Sequence, residues 1–571
     1  MDTNQSLDDF IYDPDTIAFV VRASEFFTQL IKDIPEVRVT QTLFGIYIIG
    51  YINRNYVDRL IEALGSGVVS STPLVLGLLG RDSLESAGII QVQQQPFLDL
   101  RGSGILVGIV DTGIDYTNKA FRYEDGTSKI QFIYDQTIRG PHPEGFFIGV
   151  EYTKEQIDLA LQSENPFEII PSTDTVGHGT FLASIAAGRE DLENPDIIGA
   201  APDAELIVVK LRTARNYVRE FFLIPPEQEN AFESTALMVG VEYIFKKAQQ
   251  LNRPVAICIG MGTNSGSHDG FSLFEEYLAE VSKISGVCLC IAAGNESQAK
   301  HHTQGLLLET EDMQPIEINV GEDAGSIYMN IYNGAADRIS VGVRSPTGEL
   351  VSRVPARSGT ELESRLILER STVMISYYFP LEGSGGQVTI VKILNATPGV
   401  WTVLVYGDIV LDGVFHSWLP LTGFVSPEVF FLTPTPYYTI VVPATAIGVF
   451  TCGAYDNNTN SLYERSSWGP TRLPLMSPDI VAPGVNVSGV YPTGIGTMTG
   501  TSVSAAITTG ACALLLQWGV IEGNDPAMST FQARAYTIRG ADRDPNLTYP
   551  NTQWGYGRLN LIQSFNQMRG L

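Results

Sequence analysis

Four polar side chains lie beside long apolar runs, and their types could carry out acyl transfer. Asp111 follows the run ILVGIV and Asn295 ends VCLCIAAG, while His178 precedes FLASIAAG and Ser502 begins SVSAAITTGACALLLQW. Acyl transfer needs a hydroxyl nucleophile, a base, an acid that orients the base, and donors for the developing oxyanion. The four side chains are of the types that supply these groups, with serine as nucleophile and histidine as base.

Each of these residues also has an ordinary structural explanation. Asp111 could cap a turn, and Asn295 could belong to a Gly-Asn turn. His178, between two glycines, could lie at a helix entry, and Thr501 or Ser502 could cap a helix. What favours chemistry is that the predicted fold brings all four to one edge of a sheet.

From residue 105 onward, apolar strands alternate with amphipathic helices. The segments are ILVGIVDTG, DTVGHGTFLASIAAG, AELIVVKLR, AFESTALMVGVEYIFKKAQQL, PVAICIGMG, FSLFEEYLAEVSKI and GVCLCIAAGN. This pattern predicts an α/β fold whose doubly wound parallel sheet is covered on both faces. Catalytic groups in such sheets gather at the carboxyl ends of the strands, which is where the four side chains are expected.

Two further units accompany this core. Residues 16–78 alternate strand and helix patterns as βαββαβ, which predicts a small ferredoxin-like unit followed by a linker around Pro96. Between residues 305 and 440, short alternating segments predict an inserted all-β domain, a sandwich or jelly roll. The predicted domains are residues 1–95, residues 96–304 and 441–571 for the α/β unit, and residues 305–440 for the insertion.

The composition argues against several classes of partner. The formal net charge is −27, from 63 acidic and 36 basic residues spread along the chain. Nucleic acids and anionic membranes need clustered Lys and Arg, so neither is expected as a partner. The segment MDTNQSLDDFIYDPD lacks the regions of a secretory signal, and no run reaches the roughly 18 apolar residues of a spanning helix. We therefore expect synthesis and retention inside the cell.

The remaining titratable residues give no metal or cofactor pattern. The five cysteines lie in apolar contexts without a CxxC pair, which favours reduced and buried thiols. His301, His302 and His416 lack ligand spacing, and no calcium loop of the D-x-[DN]-x-[DN]-G type is present. The sequence therefore predicts no cofactor and no metal site.

The motifs around the four residues resemble those of the subtilisin family of serine proteases. The matching segments, in the family's order, are IVDTGID around Asp111, GHGT around His178, AAGN around Asn295 and GTSVSAA around Ser502, with supporting matches in GAAPDAELIVVK and DIVAPGV. The resemblance implies that Ser502 attacks the scissile carbonyl, that His178 shuttles the proton and that Asp111 orients His178. It also implies an oxyanion hole formed by the Asn295 side chain and the Ser502 backbone N–H.

The same resemblance implies a substrate-binding edge and a propeptide. An extended substrate would pair by β-augmentation with Ile259, Gly260, Met261 and Gly262. The N-terminal unit would act as folding chaperone and inhibitor and be cut off by the enzyme itself. The candidate cleavage residues are Gln93, Gln94 and Gln95, with the bond before Pro96 the least favoured. The chain departs from the family pattern in Ser504, where alanine is usual, and in Ala506, where proline is usual.

The propeptide and the large β insertion between Asn295 and Ser502 resemble the clostridial germination-specific, Csp-type members of the family. That resemblance implies a spore-associated enzyme that activates a cortex-lytic prohydrolase, keeps its cleaved propeptide bound and is rigidified by an inserted jelly roll. Two other functions stay open: a general intracellular protease without a spore role, and a non-catalytic germination-signalling pseudoprotease. The intact Asp, His and Ser positions favour an active enzyme.

Overall fold

The computed structural model describes residues 6–24, 27, 29, 34–78, 85–94, 98, 100–190 and 198–568. Within them lie an N-terminal unit, an α/β unit and a β-sandwich that interrupts the α/β unit.

The N-terminal unit contains a three-stranded antiparallel sheet with Tyr47–Asn53 in the middle, between Thr16–Arg22 and Arg38–Leu43. Its regular elements also include α-helices and short 3-10 turns: Leu7–Tyr12, Arg54–Tyr56, Val57–Leu64, Gly65–Gly67 and Val68–Ser71. The predicted helix SEFFTQLIKDI lies largely outside the described residues. Ile17, Phe19, Phe27 and Leu60 are among the buried residues of a core whose buried members all come from this unit.

The last predicted strand of this unit, Val75–Leu78, does not join its sheet. This docked strand instead lies between two short strands of the α/β unit, antiparallel to Met261–Gly262 on one side and to Phe232–Glu233 on the other. The expected βαββαβ arrangement is therefore wrong in its final strand, because that strand pairs with a different unit.

The α/β unit is built on a nine-stranded sheet. Seven strands are parallel, and the strands at the two ends of the main strand path, Ser461–Leu462 and Val150–Thr153, are antiparallel. The strand order is Ser461–Leu462, Phe450–Asp456, Val287–Ala292, Val255–Ile259, Leu106–Asp111, Glu205–Lys210, Ile130–Asp135 and Val150–Thr153, with Ile480–Pro483 also paired to Phe450–Asp456. The sheet is thus mixed rather than wholly parallel.

Helices cover both faces of this sheet, as the apolar strands require. Ser234–Leu251 and Leu273–Ser282 pack on one face, and His178–Ala187 and Thr501–Leu516 pack on the other. We call the last two the histidine helix and the serine helix. The remaining helical segments of the unit are Glu85–Ala87, Ile89–Gln93, Lys119–Phe121, Lys154–Leu161, Pro166–Ile169, Asn216–Phe221, Gln517–Ile521, Thr530–Gly540 and Leu561–Met568. A hairpin of Val487–Tyr491 and Gly494–Met498 precedes the serine helix.

The insertion is a sandwich of two antiparallel sheets. One has the strand order His302–Leu306, Val414–Trp418, Ile327–Asn333, Gln387–Leu394, Thr372–Tyr378 and Thr360–Arg365. The other has the order Leu350–Val354, Arg338–Arg344, Gly399–Ile409, Met313–Val320 and Phe430–Phe431. Side chains of both sheets, such as Ile331, Val391, Val343 and Trp401, form one buried core.

Residues 85–94 belong structurally to the α/β unit rather than to a linker or to the N-terminal unit. Ile89 and Val92 are fully buried in the core that also contains the serine helix, and the helix Ile89–Gln93 packs on Leu561–Met568. The predicted boundary at residue 95 is therefore too late in the chain. The short segment has no periodicity that would have revealed this packing.

One helix among the described residues, Thr501–Ile521 including its π-helical end, is long and apolar enough by composition to cross a membrane. It is 83% buried inside the protein, as the central helix of a folded core. The serine helix also contains Cys512, and its Sγ lies 3.6 Å from the Sγ of Cys290. All five cysteines are free and buried, as the sequence predicts.

Candidate active site

Asp111, His178 and Ser502 form a hydrogen-bonded chain at the carboxyl edge of the sheet. His178 Nδ1 lies 2.8 Å from Asp111 Oδ1, and His178 Nε2 lies 3.2 Å from Ser502 Oγ. Asp111 and Ser502 are fully buried, and His178 is 5% exposed. A hydroxyl, an imidazole and a buried carboxylate in this order can remove the hydroxyl proton and stabilise the resulting imidazolium.

The approach of the histidine helix to the end of strand Leu106–Asp111 depends on two glycines. Gly177 has φ = +85°, in the left-handed region that favours glycine, and precedes His178 directly. A Cβ at Gly179 would lie 2.3 Å from the carbonyl oxygen of Gly113 and 3.1 Å from Asp111 Cβ. Glycine therefore lets the helix begin close enough for the imidazole to reach the carboxylate.

Ser502 is the second residue of the serine helix and does not cap it. Gly500 precedes the helix with φ = +146°, and no side chain caps the N-terminus. Ser502 therefore has its backbone N–H at the positive end of the helix, where an anion is stabilised.

Ser504 and Ala506, the two departures from the family pattern, fit the serine helix and remove no candidate catalytic group. Ser504 Oγ donates to the carbonyl oxygens of Ala482 and Pro483, at 3.0 and 3.1 Å. Ala506 is fully buried in the core, and the helix continues past it to Leu516. Ser504 thus ties the serine helix to the neighbouring strand.

Asn295 lies at the opening of the serine helix with its amide oxygen already engaged. Asn295 Oδ1 accepts a hydrogen bond from the Thr501 backbone N–H at 3.1 Å, and Thr501 Oγ1 lies 3.3 Å from the same oxygen. Thr501 Oγ1 also accepts from the Gly294 N–H. Within the described part of the chain, Asn295 Nδ2 makes no hydrogen bond, so it is available to a substrate oxygen.

The edge segment Ile259–Gly262 adjoins these groups. A Cβ at Gly260 would lie 3.0 Å from Ser502 Cβ and 3.2 Å from His178 Cε1. The next residues, Met261 and Gly262, pair with Leu78 and Gly77 of the docked strand. The predicted substrate edge is therefore occupied, and its occupant is a strand of the same chain.

The sequence reasoning missed Asp174, which lies between the strand end and the histidine helix. Its side chain is 4% exposed and accepts five hydrogen bonds from the Thr112 hydroxyl, the Val176 and Gly177 N–H groups, and both the N–H and hydroxyl of Thr180. Thr112 Oγ1 in turn accepts from the Gly179 N–H at 3.0 Å. An aspartate four residues before His178 was a visible signal, since Asp and Asn commonly bond to nearby backbone N–H groups.

A buried carboxylate also follows Asn295 directly. Glu296 accepts hydrogen bonds from Asn264 Nδ2 at 2.8 Å and from the Thr422 N–H at 3.2 Å, and it lies 3.0 Å from His301 Nδ1. Burial alone would raise the pKa of Glu296, but the hydrogen bonds, first that of His301, hold this pKa below its ordinary value. Glu296 therefore joins Asn264 of the α/β unit to His301 and to Thr422 at the end of the sandwich.

The predicted cleavage residues are not brought to Ser502. Gln93 is 5% exposed at the end of the helix Ile89–Gln93, and its amide donates to the carbonyl oxygens of Gly199 and Ala200 at 3.1 and 2.9 Å. Gln94 follows that helix, and Gln95 lies outside the described residues. The segment found at the predicted substrate edge is instead Val75–Leu78, and the position of the cleaved bond stays a prediction.

Metal ligation has no candidate in the part of the chain that the structure describes, because no group of three or more His, Cys, Asp or Glu is arranged to hold an ion. The largest concentration of histidines, His268, His302 and His416, stacks against Trp418 instead.

A mixed α/β fold with a Ser, a His and an Asp at the carboxyl edge of its sheet defines a class of serine peptidase. The family model for subtilases, Peptidase S8, matches residues 102–320 and 434–557, and the chain belongs to this family. It is a subtilisin-like serine peptidase.

Among solved structures, the CspB protease of Clostridium perfringens is 32% identical, with a TM-score of 0.76, over 85% of this chain and 99% of that one. Fervidolysin from Fervidobacterium pennivorans, a keratinolytic enzyme related to subtilisin, shares the fold at 13% identity and a TM-score of 0.51, over 97% of this chain and 61% of that chain. The PII-type proteinase of Lacticaseibacillus paracasei is 23% identical over 73% of this chain, which spans only 23% of that proteinase.

Proposed function

We propose that the chain is an endopeptidase in which Ser502, His178 and Asp111 are the catalytic triad. The observation that carries this proposal is the continuous chain from Asp111 Oδ1 through both ring nitrogens of His178 to Ser502 Oγ, at 2.8 and 3.2 Å. Ser502 Oγ attacks the peptide carbonyl carbon as its proton passes to His178 Nε2. The carbonyl oxygen becomes an oxyanion that accepts from Asn295 Nδ2 and the Ser502 N–H.

The remaining steps follow from the same groups. The tetrahedral intermediate collapses, and the amine leaves with the proton from His178. Water then attacks the acyl ester, gives its proton to His178 and releases the acid, which regenerates the Ser502 hydroxyl. Asp111 accepts from His178 Nδ1 throughout, which holds the tautomer that leaves Nε2 free to take a proton.

We propose further that the N-terminal unit is a propeptide removed by this site. The register supports a bond close to Leu78: Gly77 pairs with Gly262 and Leu78 with Met261, which directly follows Gly260 beside Ser502. Extending the antiparallel pairing by one residue predicts cleavage between residues 79 and 80.

Retention of the cleaved propeptide is supported by contacts that do not depend on that bond. Tyr47 packs edge-on against Tyr277 with ring centroids 5.8 Å apart, and Arg22 forms an ion pair with Glu276. Arg215, buried beside Glu233, donates to the carbonyl oxygen of Ile11 at 2.9 Å. The unit would therefore stay docked on the helices of the α/β unit after the connecting bond is cut.

The physiological substrate proposed is a spore cortex-lytic prohydrolase, activated by limited proteolysis in germination by a spore-associated enzyme. The identity to the CspB protease over 85% of this chain supports this choice over a general intracellular protease. A cleft already filled by its own strand also favours a restricted substrate range.

The test compares the full chain with its Ser502→Ala variant. Wild type is expected to yield two fragments, with the new N-terminus within residues 80–84, and to react with a fluorophosphonate probe. Ser502→Ala should remain full length and unlabelled. A wild-type chain that is neither cleaved nor labelled would identify a pseudoprotease instead.

The substrate is tested separately with a purified cortex hydrolase zymogen and with casein. Cleavage of the zymogen at one site, with casein left intact, is expected. Equal digestion of both proteins would contradict the germination role and leave the serine peptidase proposal standing.

A further inference from the structure

A turn at the end of the sandwich lies directly over the docked strand. A Cβ placed on Gly77 would lie 2.7 Å from Leu421 Cδ2 and 3.3 Å from Phe424 Cζ. Leu421 and Phe424 are each 2% exposed, so neither side chain has open space into which it could move. We call the turn of residues 421–424 the arch.

The arch is fastened on both sides of the docked strand. On the side of Met261–Gly262, the Thr422 N–H donates to Glu296 Oε1 at 3.2 Å. On the side of Phe232–Glu233, the Gln228 side chain donates to the Gly423 carbonyl oxygen at 3.1 Å. The Phe424 N–H donates to the Leu421 carbonyl oxygen at 2.8 Å, which closes the turn itself. A strand in the cleft is thus held at both edges and covered from above.

The position before Gly77 in the docked strand accepts a large apolar side chain. Leu76 is fully buried in the core that also contains Phe232 and Met261. Because side chains of a strand alternate in direction, Leu76 and the position of Gly77 face opposite sides of the strand. One side is an apolar site that accepts leucine, and the other has no room for a side chain.

We propose that the arch makes the cleft selective for glycine at the substrate residue that pairs with Gly262, preceded by a large apolar residue. The substrates are protein segments that can present Leu-Gly or a similar pair in an extended conformation. This inference rests on the proposed peptidase function and deepens it: the inserted sandwich, which contributes nothing to the triad, sets the sequence that the triad can cut.

Self-processing of the full chain tests the proposal, since the docked strand is then the substrate. Gly77→Val should slow cleavage by about tenfold or more, and Gly77→Ala by less, because the smaller side chain overlaps less with Leu421. The matched control is Gly67→Val, since Gly67 belongs to the same unit, has φ = −64° and has nothing within 4 Å of its Cβ position. It should process at the wild-type rate.

Removal of the overlapping arch side chain should restore cleavage of the chain that has valine at position 77. The double variant Leu421→Ala, Gly77→Val is expected to cleave itself at a rate within about threefold of that of Leu421→Ala alone. Such coupling is expected of two residues in contact. Phe424→Ala offers a second route if Leu421→Ala folds poorly. Gly77→Val that is cleaved as fast as wild type would overturn the proposal.

A measurement without catalysis separates this proposal from the proposed function. In the Ser502→Ala chain, Gly77→Val should displace the docked strand and speed amide hydrogen exchange at Val75–Leu78, while Gly67→Val should not. If wild type fails to process but this displacement and its reversal by Leu421→Ala are seen, the peptidase function fails and the steric selection by the arch stands. Equal exchange protection of the docked strand in both variants would exclude the arch as a selective element.

Discussion

Thr112 and Asp174 are joined by a hydrogen bond of 2.8 Å between the Thr112 hydroxyl and Asp174 Oδ1. Thr112 directly follows Asp111, and Asp174 also accepts from the Gly177 N–H, directly before His178. The contact therefore fixes the end of one strand relative to the start of the histidine helix. The distance between the candidate acid and base depends on this junction as well as on their own hydrogen bond.

Asp174→Asn is expected to lower kcat about tenfold to a hundredfold with a smaller change in KM, because an amide in place of a carboxylate turns one acceptor into a donor that faces N–H groups. Asp174 is thus a positioning residue for His178. Asp174→Ala should also reduce the free energy of unfolding by about 2–4 kcal/mol, since buried donors lose their acceptor. Steady-state kinetics on peptides and chemical denaturation measure the two effects.

Asp125→Asn is the matched control for this prediction. Asp125 accepts from the Thr127 N–H and hydroxyl in an exposed turn, a local arrangement similar to that of Asp174 but without contact to the histidine helix. Its kinetics should equal those of wild type. If Asp174→Asn lowered the free energy of unfolding but left kcat unchanged, Asp174 would have a structural role only.

Asn295→Ala is expected to lower kcat and leave KM nearly unchanged, because the Asn295 amide would bind charge that exists only in the transition state. Loss of one oxyanion-hole donor is known to cost about 10²–10³ in kcat in a related enzyme of this family. Asn295→Asp should be at least as slow, although it keeps an oxygen for the Thr501 N–H. Peptide hydrolysis kinetics measure the effect.

Asn458→Ala provides the comparison at an exposed position and should behave as wild type. If Asn295→Asp retained wild-type kcat, the role of Asn295 would be limited to its hydrogen bond with Thr501. The two Asn295 variants together therefore distinguish an oxyanion donor from a helix-positioning group.

Acid should weaken the fold through the histidines between the sandwich and the α/β unit. Burial lowers the pKa of His416 to about 3 and that of His268 to about 4, and it holds the pKa of His302 well below its ordinary value. Between pH 6.5 and about 4 the unfolded chain therefore binds protons that the folded chain does not. Stability falls as pH decreases through this window, by up to about 1.4 kcal/mol per pH unit for each such histidine.

Urea denaturation of the Ser502→Ala chain at several pH values measures this slope. His416→Gln removes one of the groups and should flatten the slope, although it also loses the 3.2 Å contact with His302 Nε2. His142→Gln, which changes a histidine outside the cluster, should leave the contribution of the stacked histidines in place. An unchanged slope in His416→Gln would assign the acid sensitivity to other groups.

The sequence alone predicted the order of units, the alternating α/β core and the residues of the candidate site. It could do so because each site residue stands in a short glycine-containing motif at the end of a strongly apolar run, so that local pattern and position at the sheet edge agree. The same applies to the sandwich, whose alternating strands and turn residues are local signals.

The tertiary structure alone decided what occupies and covers the cleft. Val75–Leu78 has the pattern of any strand, and its partners Met261–Gly262 and Phe232–Glu233 are distant in the chain, so no local signal could assign the pairing. The helix Ile89–Gln93 is too short for a periodic pattern, so no local signal indicates that Gln93 is buried. The arch over Gly77 is likewise a contact between residues far apart in sequence, made only when the sandwich and the α/β unit pack together.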